Sequence, residues 1–355
     1  VTVHPRAAAI PAGVDSQLGR GAAATACPLC GSRDARTLRS YSADEAAQHF
    51  ALAEQEPARH AELSAVIAQL WGAQRAASRE CSACGLGFAD PFVAGNGEFY
   101  TLAFGASGYP KDKWEFRKTL VELARHDCRG WNVLEIGAGG GYFLDLLAKV
   151  GIPANQRFGS EYNQVTLARM HAKGYQVKPL EIDELASFGK AFDAICMFQV
   201  LEHRDRIEDT FRTIHSLLRE GGHLFLAVPN AERIRFNEAN GSLFDMPPNH
   251  ISQWSIENFR LAAERFGYRL VEAQVEPSDA KSFVRQDMIF SFMRKAQQRG
   301  TLANRIYPRR KSPIGRAAVA AAVGLNAVTR VPLWVRRRRE LTTMGDSIWV
   351  HMQRA

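Results

Sequence analysis

The chain has 355 residues, 46% of them hydrophobic and 23% charged, with a net charge of +8. This is the balance of a soluble globular protein with room for two domains, and no unbroken run of eighteen apolar residues suggests a membrane-spanning helix. Residues 281–340 hold 15 Lys or Arg against 2 Asp or Glu, so the basic character belongs to one late segment and a general nucleic-acid affinity is not expected.

Residues 1–25 are rich in Ala, Gly and Pro and lack the apolar core of a secretory signal. They read as a disordered tail, and the protein as cytoplasmic. Residues 26–95 read as a zinc-binding domain. Cys27-Pro28-Leu29-Cys30-Gly31 and Cys81-Ser82-Ala83-Cys84-Gly85 are two matching knuckles. Each C-x-x-C turn sets two thiolates on one side, and four thiolates complete a closed tetrahedral structural zinc site. A redox pair or free thiols are the competing readings. Between the knuckles a helical insertion is expected from about Asp44 to Ala77, with Leu63, Val66, Ile67 and Trp71 inward and His49 and His60 on the helix surface. Residues 96–130 form a linker and a lid helix. Their aromatics, Phe99, Tyr100, Phe104, Tyr109 and Trp114, serve either as a lid over a ligand or as packing between domains.

Residues 131–280 read as an α/β core. Val133 to Ile136 form a short buried strand, and Gly137, Gly139 and Gly141 then turn the chain into a helix beginning around Tyr142 and Phe143. A strand, a glycine loop and a helix together cradle a nucleotide. Tyr142 occupies the position where a dinucleotide fingerprint has its third glycine, and Glu135 lies two residues before the first. That E-x-G-x-G-x-G pattern resembles the first motif of class I S-adenosylmethionine-dependent methyltransferases. The resemblance implies a Rossmann-like seven-stranded sheet and S-adenosylmethionine as cofactor, held by Glu135, Gly137, Gly139, Gly141 and Tyr142.

Further resemblances follow in order. Arg157 to Asn163 reads as the second strand, ending in Glu161, placed to accept from the two ribose hydroxyls, with Tyr162 against the adenine. The third strand is expected over Val177 to Ile182. There the resemblance places Ile182 on the adenine face and Asp183 on its exocyclic amine. The segment Phe192 to His203 is similar to the "fDxIxxxxVLEH" stretch of small-molecule methyltransferases such as those of ubiquinone biosynthesis. Phe198 and Gln199 are expected along the methionine arm, His203 toward the methyl donor or acceptor, and Cys196 in the core. A helix over Arg206 to Arg219 and a strand over His223 to Val228 continue the pattern. Asp245 to Ser255 resembles a "PPxHxxxxs" loop of the same branch. His250, stiffened by two prolines, suits a general base or a substrate clamp there. Ser255 is the expected N-cap of the next helix, with Asn258 three residues on.

Tyr268 to Glu276 reads as the sixth strand and residues 344–355 as the final strand, which the methyltransferase resemblance implies lies antiparallel between the fifth and sixth. Residues 281–343 form a basic helical insertion before it: a lid, a dimer contact, or a surface for an anionic membrane or acceptor. The expected function is transfer of a methyl group to a small-molecule acceptor, a hydroxyl of a sugar or natural-product intermediate, with His203 or His250 as base. A C-methyltransferase acting on a keto-sugar, an RNA methyltransferase and a non-catalytic S-adenosylmethionine-binding protein are the alternatives.

Overall fold

The computed structural model describes residues 25–104, 111–189, 191–240, 242–298, 300–339 and 344–355. The expected tail, up to residue 24, and Tyr109 lie outside the described residues.

A small N-terminal unit comes first. It comprises β1 (Ala35–Ser42), α1 (Ala43–Phe50), α2 (Pro57–Trp71), β2 (Arg75–Cys81) and β3 (Gly87–Asp90). Next come α3 (Gly97–Phe104), α4 (Trp114–Leu123), β4 (Val133–Ile136), α5 (Tyr142–Leu146), β5 (Arg157–Ser160), α6 (Gln164–Ala172), β6 (Gln176–Lys178) and β7 (Phe192–Phe198). The chain continues with α7 (Ile207–Leu217), β8 (Leu218–Pro229), α8 (Ala231–Ala239), β9 (Ser252–Gln253), α9 (Ile256–Phe266) and β10 (Tyr268–Val275). It closes with α10 (Ala280–Gln297), α11 (Leu302–Ile306), α12 (Pro313–Arg336) and β11 (Ser347–Arg354).

The main sheet has seven strands in the order β10-β11-β8-β7-β4-β5-β6. β4 to β8 run parallel, and β11 lies antiparallel between β8 and β10, as the methyltransferase resemblance implies. Both faces of this sheet are covered, which is why its strands read as near-continuous apolar runs. Leu134 and Ile136 point into one layer with Phe211, Ile214 and Phe259, whereas Val133 packs against Phe143, Leu144 and Met170 in the other.

The small sheet is antiparallel, in the order β1-β2-β3-β9. Its last strand comes from the loop after α8: Gly87 pairs with Gln253 and Phe88 with Ser252. Asn258 Nδ2 donates to the Cys84 carbonyl at 2.6 Å, and Cys27, Leu29, Cys81, Leu86 and Phe88 belong to the same apolar cluster as the main sheet. The N-terminal unit is thus packed onto the loop that carries His250.

Several boundaries differ from expectation for identifiable reasons. The helical insertion spans residues 43–71, because Pro57 restarts the helix and left-handed Gly72 ends it; Ala76 and Ala77 lie in β2. His60 is buried rather than on the surface, 3.5 Å from Asp44. β6 stops at Lys178, before Pro179, which has no N–H to give a ladder. Ile182 instead opens a 3-10 turn capped reciprocally by Glu181 and Glu184. The Ser255–Asn258 cap of α9 forms as expected. The expectation of no spanning-length helix fails on composition: α12, 24 residues long, is long and apolar enough to cross a membrane. Arg316, Asn326 and Arg330 interrupt it, so it escapes a search for an unbroken apolar run.

Candidate active site

β4 ends at Ile136, and the chain turns at once. Gly137, Gly139 and Gly141 have φ of +71°, +50° and +71°, a region glycine enters without steric cost. A Cβ at Gly137 would also stand 2.6 Å from Val200 Cγ2. Glu161, just past β5, fastens this loop. Its Oε2 accepts from Gly139 N at 2.7 Å, and its Oε1 from Tyr162 N and Asn163 N at 2.9 and 3.0 Å. A carboxylate has about four acceptor positions. Three are filled, so Glu161 has room for about one further donor rather than the two ribose hydroxyls expected of it.

Glu135 is buried beneath the loop, and its Oε2 has no hydrogen-bond partner. Burial pushes its carboxyl well above the usual range, while Lys113 draws it partly back. A buried carboxylate with an unmatched oxygen is costly, and an ammonium group brought to the loop would satisfy it. That orphaned oxygen and the bare left-handed turn of three glycines fit the aminoacyl end of S-adenosylmethionine.

The residues expected around the adenine separate. Tyr142 lies over Gly140, with the Arg169 guanidinium 5.4 Å from its ring. Tyr162 stands mostly exposed, its hydroxyl pushed up by burial and then by the nearby Glu181. Ile182 turns into the core, and Asp183 faces outward, 3.8 Å from Arg206. Cys196 is buried in the sheet, as expected. Phe198 also packs inward, its ring centroid 5.2 Å from Phe116 and 4.9 Å from Phe143. It supports the loop from below.

A cavity of about 600 Å³ opens beyond the carboxyl ends of β7 and β8, with Gln199, Glu202, His203, Arg233, His250 and Phe290 in its wall. Gln199 has φ +58°, the one left-handed non-glycine among the described residues. Its Nε2 donates to Glu115 Oε1 at 3.3 Å and Ser347 Oγ at 3.2 Å. Backbone strain of this kind gathers where a side chain must be aimed.

The two imidazoles expected from sequence meet in this cavity, ring centroids 4.7 Å apart. His203 Nδ1 lies 2.6 Å from the Asn249 carbonyl oxygen and 2.8 Å from the Tyr100 hydroxyl. A carbonyl only accepts, so Nδ1 carries the proton and Nε2 keeps its lone pair. Burial, and then the neighbouring His250, lower His203 to about 3. His250 differs by one contact: its Nδ1 lies 2.9 Å from Asp245 Oδ1. Burial works against its charged form, but Asp245 and then Glu202 outweigh it and raise His250 above the usual imidazole value. Glu202 is itself buried with both oxygens unpartnered; burial pushes it up to about 7 although His250 pulls it down. Atoms of Glu202, His203 and His250 come within 4.8 Å of one another.

Sequence reasoning passed over several of these participants. Asp245 lies five residues before His250 in the same loop, and Glu202 within the segment already singled out. Lys113, whose charge acts on both Glu135 and Glu202, has no motif. His49, expected on a helix surface, lines the cavity instead, lowered to about 4 chiefly by burial. Tyr100 resolves the question of the aromatics for itself, since it holds His203.

The knuckles mirror each other. Gly31 N donates to the Cys27 carbonyl at 2.8 Å and Gly85 N to that of Cys81 at 2.9 Å, with φ of +78° and +74° at the glycines. Cys27 and Cys84 sulfurs are 3.6 Å apart, those of Cys30 and Cys81 3.5 Å, and all four lie within 4.8 Å.

Strand order, the glycine loop after β4 and the acid after β5 define the chain as a class I S-adenosylmethionine-dependent methyltransferase. A family model described as a methyltransferase domain matches residues 93–273, just over half the chain, and the chain belongs to that family. Among curated proteins it is 31% identical over 111 residues to a ubiquinone biosynthesis O-methyltransferase of Sinorhizobium medicae, covering 30% of this chain and 44% of that one. It is 33% identical over 127 residues to the protein of the same name from Rhizobium etli, covering 35% and 51%. The chain thus spans about half the length of these curated relatives. A solved structure, an S-adenosylmethionine-dependent methyltransferase from Mesorhizobium loti, aligns at 13% identity with a TM-score of 0.42, covering 69% of this chain and all of that one.

Proposed function

We propose that the protein transfers a methyl group from S-adenosylmethionine to a hydroxyl of a small molecule seated in the 600 Å³ cavity, with His250 as general base. The cofactor supplies a methyl already activated on its sulfonium. The chain's part is to align the acceptor and remove one proton. The observation that carries this reading is the Asp245–His250 pair, buried at 2.9 Å in the cavity wall. A carboxylate beside Nδ1 stabilises the imidazolium that forms when Nε2 takes the proton. His203, neutral and held by Asn249 and Tyr100, presents Nε2 as an acceptor that orients the hydroxyl.

Glu135 and the glycine loop hold the aminoacyl end of the cofactor, and Glu161 takes one ribose hydroxyl. The O-methyltransferase names of the relatives support oxygen as the atom methylated. A sugar or natural-product intermediate suits the polar wall of Gln199, Asn237, Asp245 and Arg233. The four cysteines hold a structural zinc: with Zn–S bonds of about 2.3 Å, a tetrahedron needs sulfurs about 3.8 Å apart. Its role is to keep the small sheet rigid behind the His250 loop.

The test is incubation with methyl-labelled S-adenosylmethionine and acceptor extracts, with NMR of the product. An O-methyl signal supports the reading. A C-methyl signal transfers the base to enolate chemistry, and labelled RNA or no product overturns the small-molecule assignment. The clustering of Glu202, His203 and His250 also suits a divalent cation. Loss of turnover on chelation, restored by added metal, would favour that second reading over simple proton transfer.

A further inference from the structure

The basic insertion contains a helix built the wrong way round for water. α12 turns Asn326, Arg330 and Trp334 toward its own protein. Asn326 is buried, its Nδ2 2.7 Å from Ser291 Oγ and its Oδ1 2.5 Å from Lys295 Nζ. Arg330 grips the buried Asp287 of α10 with two bonds of 2.7 and 2.9 Å, and Trp334 Nε1 donates to the same carboxylate at 2.7 Å. The outward face is apolar. Ile314, Leu325, Val328 and Val335 are 85%, 66%, 68% and 60% exposed. Ala317, Ala321 and Val331 fill the intervals, so the stripe advances by threes and fours over the whole helix. Only 6% of the most apolar window is buried. A surface helix in water shows the reverse pattern. An apolar stripe therefore runs along α12, and it faces out.

The charge around it is one-sided. From Met288 to Arg339 there are 13 Lys or Arg and no Asp or Glu. Arg309, Arg310 and Lys311 precede α12, and Arg336 to Arg339 follow it. A second copy of this chain is a poor cover for such a face. A two-fold contact sets the same patch against itself and would bring the basic clusters flanking α12 against their own copies. An anionic lipid surface meets both requirements, taking the apolar stripe into its headgroup–acyl boundary and the cations among its phosphates.

We propose that α12 docks the protein on an anionic bilayer, lying in the membrane plane. Spanning is excluded by its inner face, where Arg330 and Asn326 are tied to Asp287 and Ser291 of α10. At 1.5 Å per residue the docked helix is about 36 Å long. α10 stands between the membrane face and the cavity: Asp287 and Ser291 meet α12, while Gln286 and Phe290 line the cavity. An acceptor carried at the lipid surface would reach the site past one helix.

Vesicle flotation of the full chain tests this, with phosphatidylcholine alone and with about a third phosphatidylglycerol. Wild type is expected to float with the anionic vesicles and not the neutral ones, and raised salt to cut the bound fraction about tenfold. Leu325→Glu/Val328→Glu should abolish flotation while leaving the melting temperature and S-adenosylhomocysteine binding unchanged, since both residues face outward. Arg336→Ala/Arg338→Ala should weaken flotation and keep the fold. Three results would overturn the proposal: a wild type that stays soluble with both vesicles, a Leu325→Glu/Val328→Glu variant that floats normally, or a sedimentation dimer dissociated by that variant without any flotation.

Discussion

Replacing Asp245 with Asn tests the assignment of the base most sharply, because the cavity contains its own control. His203 and His250 are both buried, and they stack edge to face. One has no carboxylate on its Nδ1 and is lowered to about 3; the other has Asp245 at 2.9 Å and rises above the usual 6.5. The two buried imidazoles therefore shift in opposite directions, and the Asp245 carboxylate beside one of them is the contact that separates them. A Coulomb estimate at 2.9 Å with an effective dielectric of about 20 gives about 6 kcal/mol, enough for Asp245 to reverse the direction in which burial drives His250. In Asp245→Asn the shape and one acceptor remain while the charge goes. His250 should then titrate toward the His203 value, and turnover should fall on the order of 100-fold or more. Histidine-labelled NMR reads the first effect without any acceptor, and labelled methyl transfer reads the second. Stability follows the same linkage. Because the folded value of His250 exceeds the unfolded one, the pair stabilises the fold fully below about pH 6.5, and this contribution is lost as pH rises through the folded value. The advantage of wild type over Asp245→Asn in melting temperature should therefore shrink from pH 6 to pH 9. A His250 that titrates at the same pH in both proteins would refute the reasoning.

Other consequences can be checked independently. His203→Ala should raise KM for the acceptor more than it lowers kcat, since His203 orients and does not take the proton; an effect on kcat alone would contradict that role. Gly137→Ala forces a Cβ into a left-handed backbone and within 2.6 Å of Val200, so it should destabilise by about 1–3 kcal/mol and weaken cofactor binding, measured by thermal melts with and without S-adenosylhomocysteine. Metal analysis should find one zinc per chain. Cys81→Ser should lose it and lower the melting temperature, whereas full metal content in that variant would remove Cys81 from the set.

The sheet order was legible in the sequence because each motif names a strand end: glycines after β4, an acid after β5, VLEH after β7. The closing antiparallel strand has no such motif, and only the family resemblance placed it. What escaped was long-range. Asp245 is informative only once the loop folds it against His250, and Lys113 only once the start of α4 brings its charge to act on both Glu135 and Glu202. Phe198 was expected at the ligand because it ends a strand, but the side-chain alternation of β7 turns it inward and leaves the lining to Gln199, whose left-handed backbone no propensity announces. The reversed polarity of α12 was hidden because the polar partners that bury Asn326 and Arg330 lie more than thirty residues away on α10.

The central claim is that the glycine loop and Glu161 hold S-adenosylmethionine. Calorimetric titration with S-adenosylhomocysteine tests it most directly. Wild type should bind one equivalent, and Glu161→Ala should bind at least about tenfold more weakly, the loss of one charge-assisted hydrogen bond and of the carboxylate that anchors Gly139. Absence of binding by wild type, or equal affinity in the variant, would contradict the account.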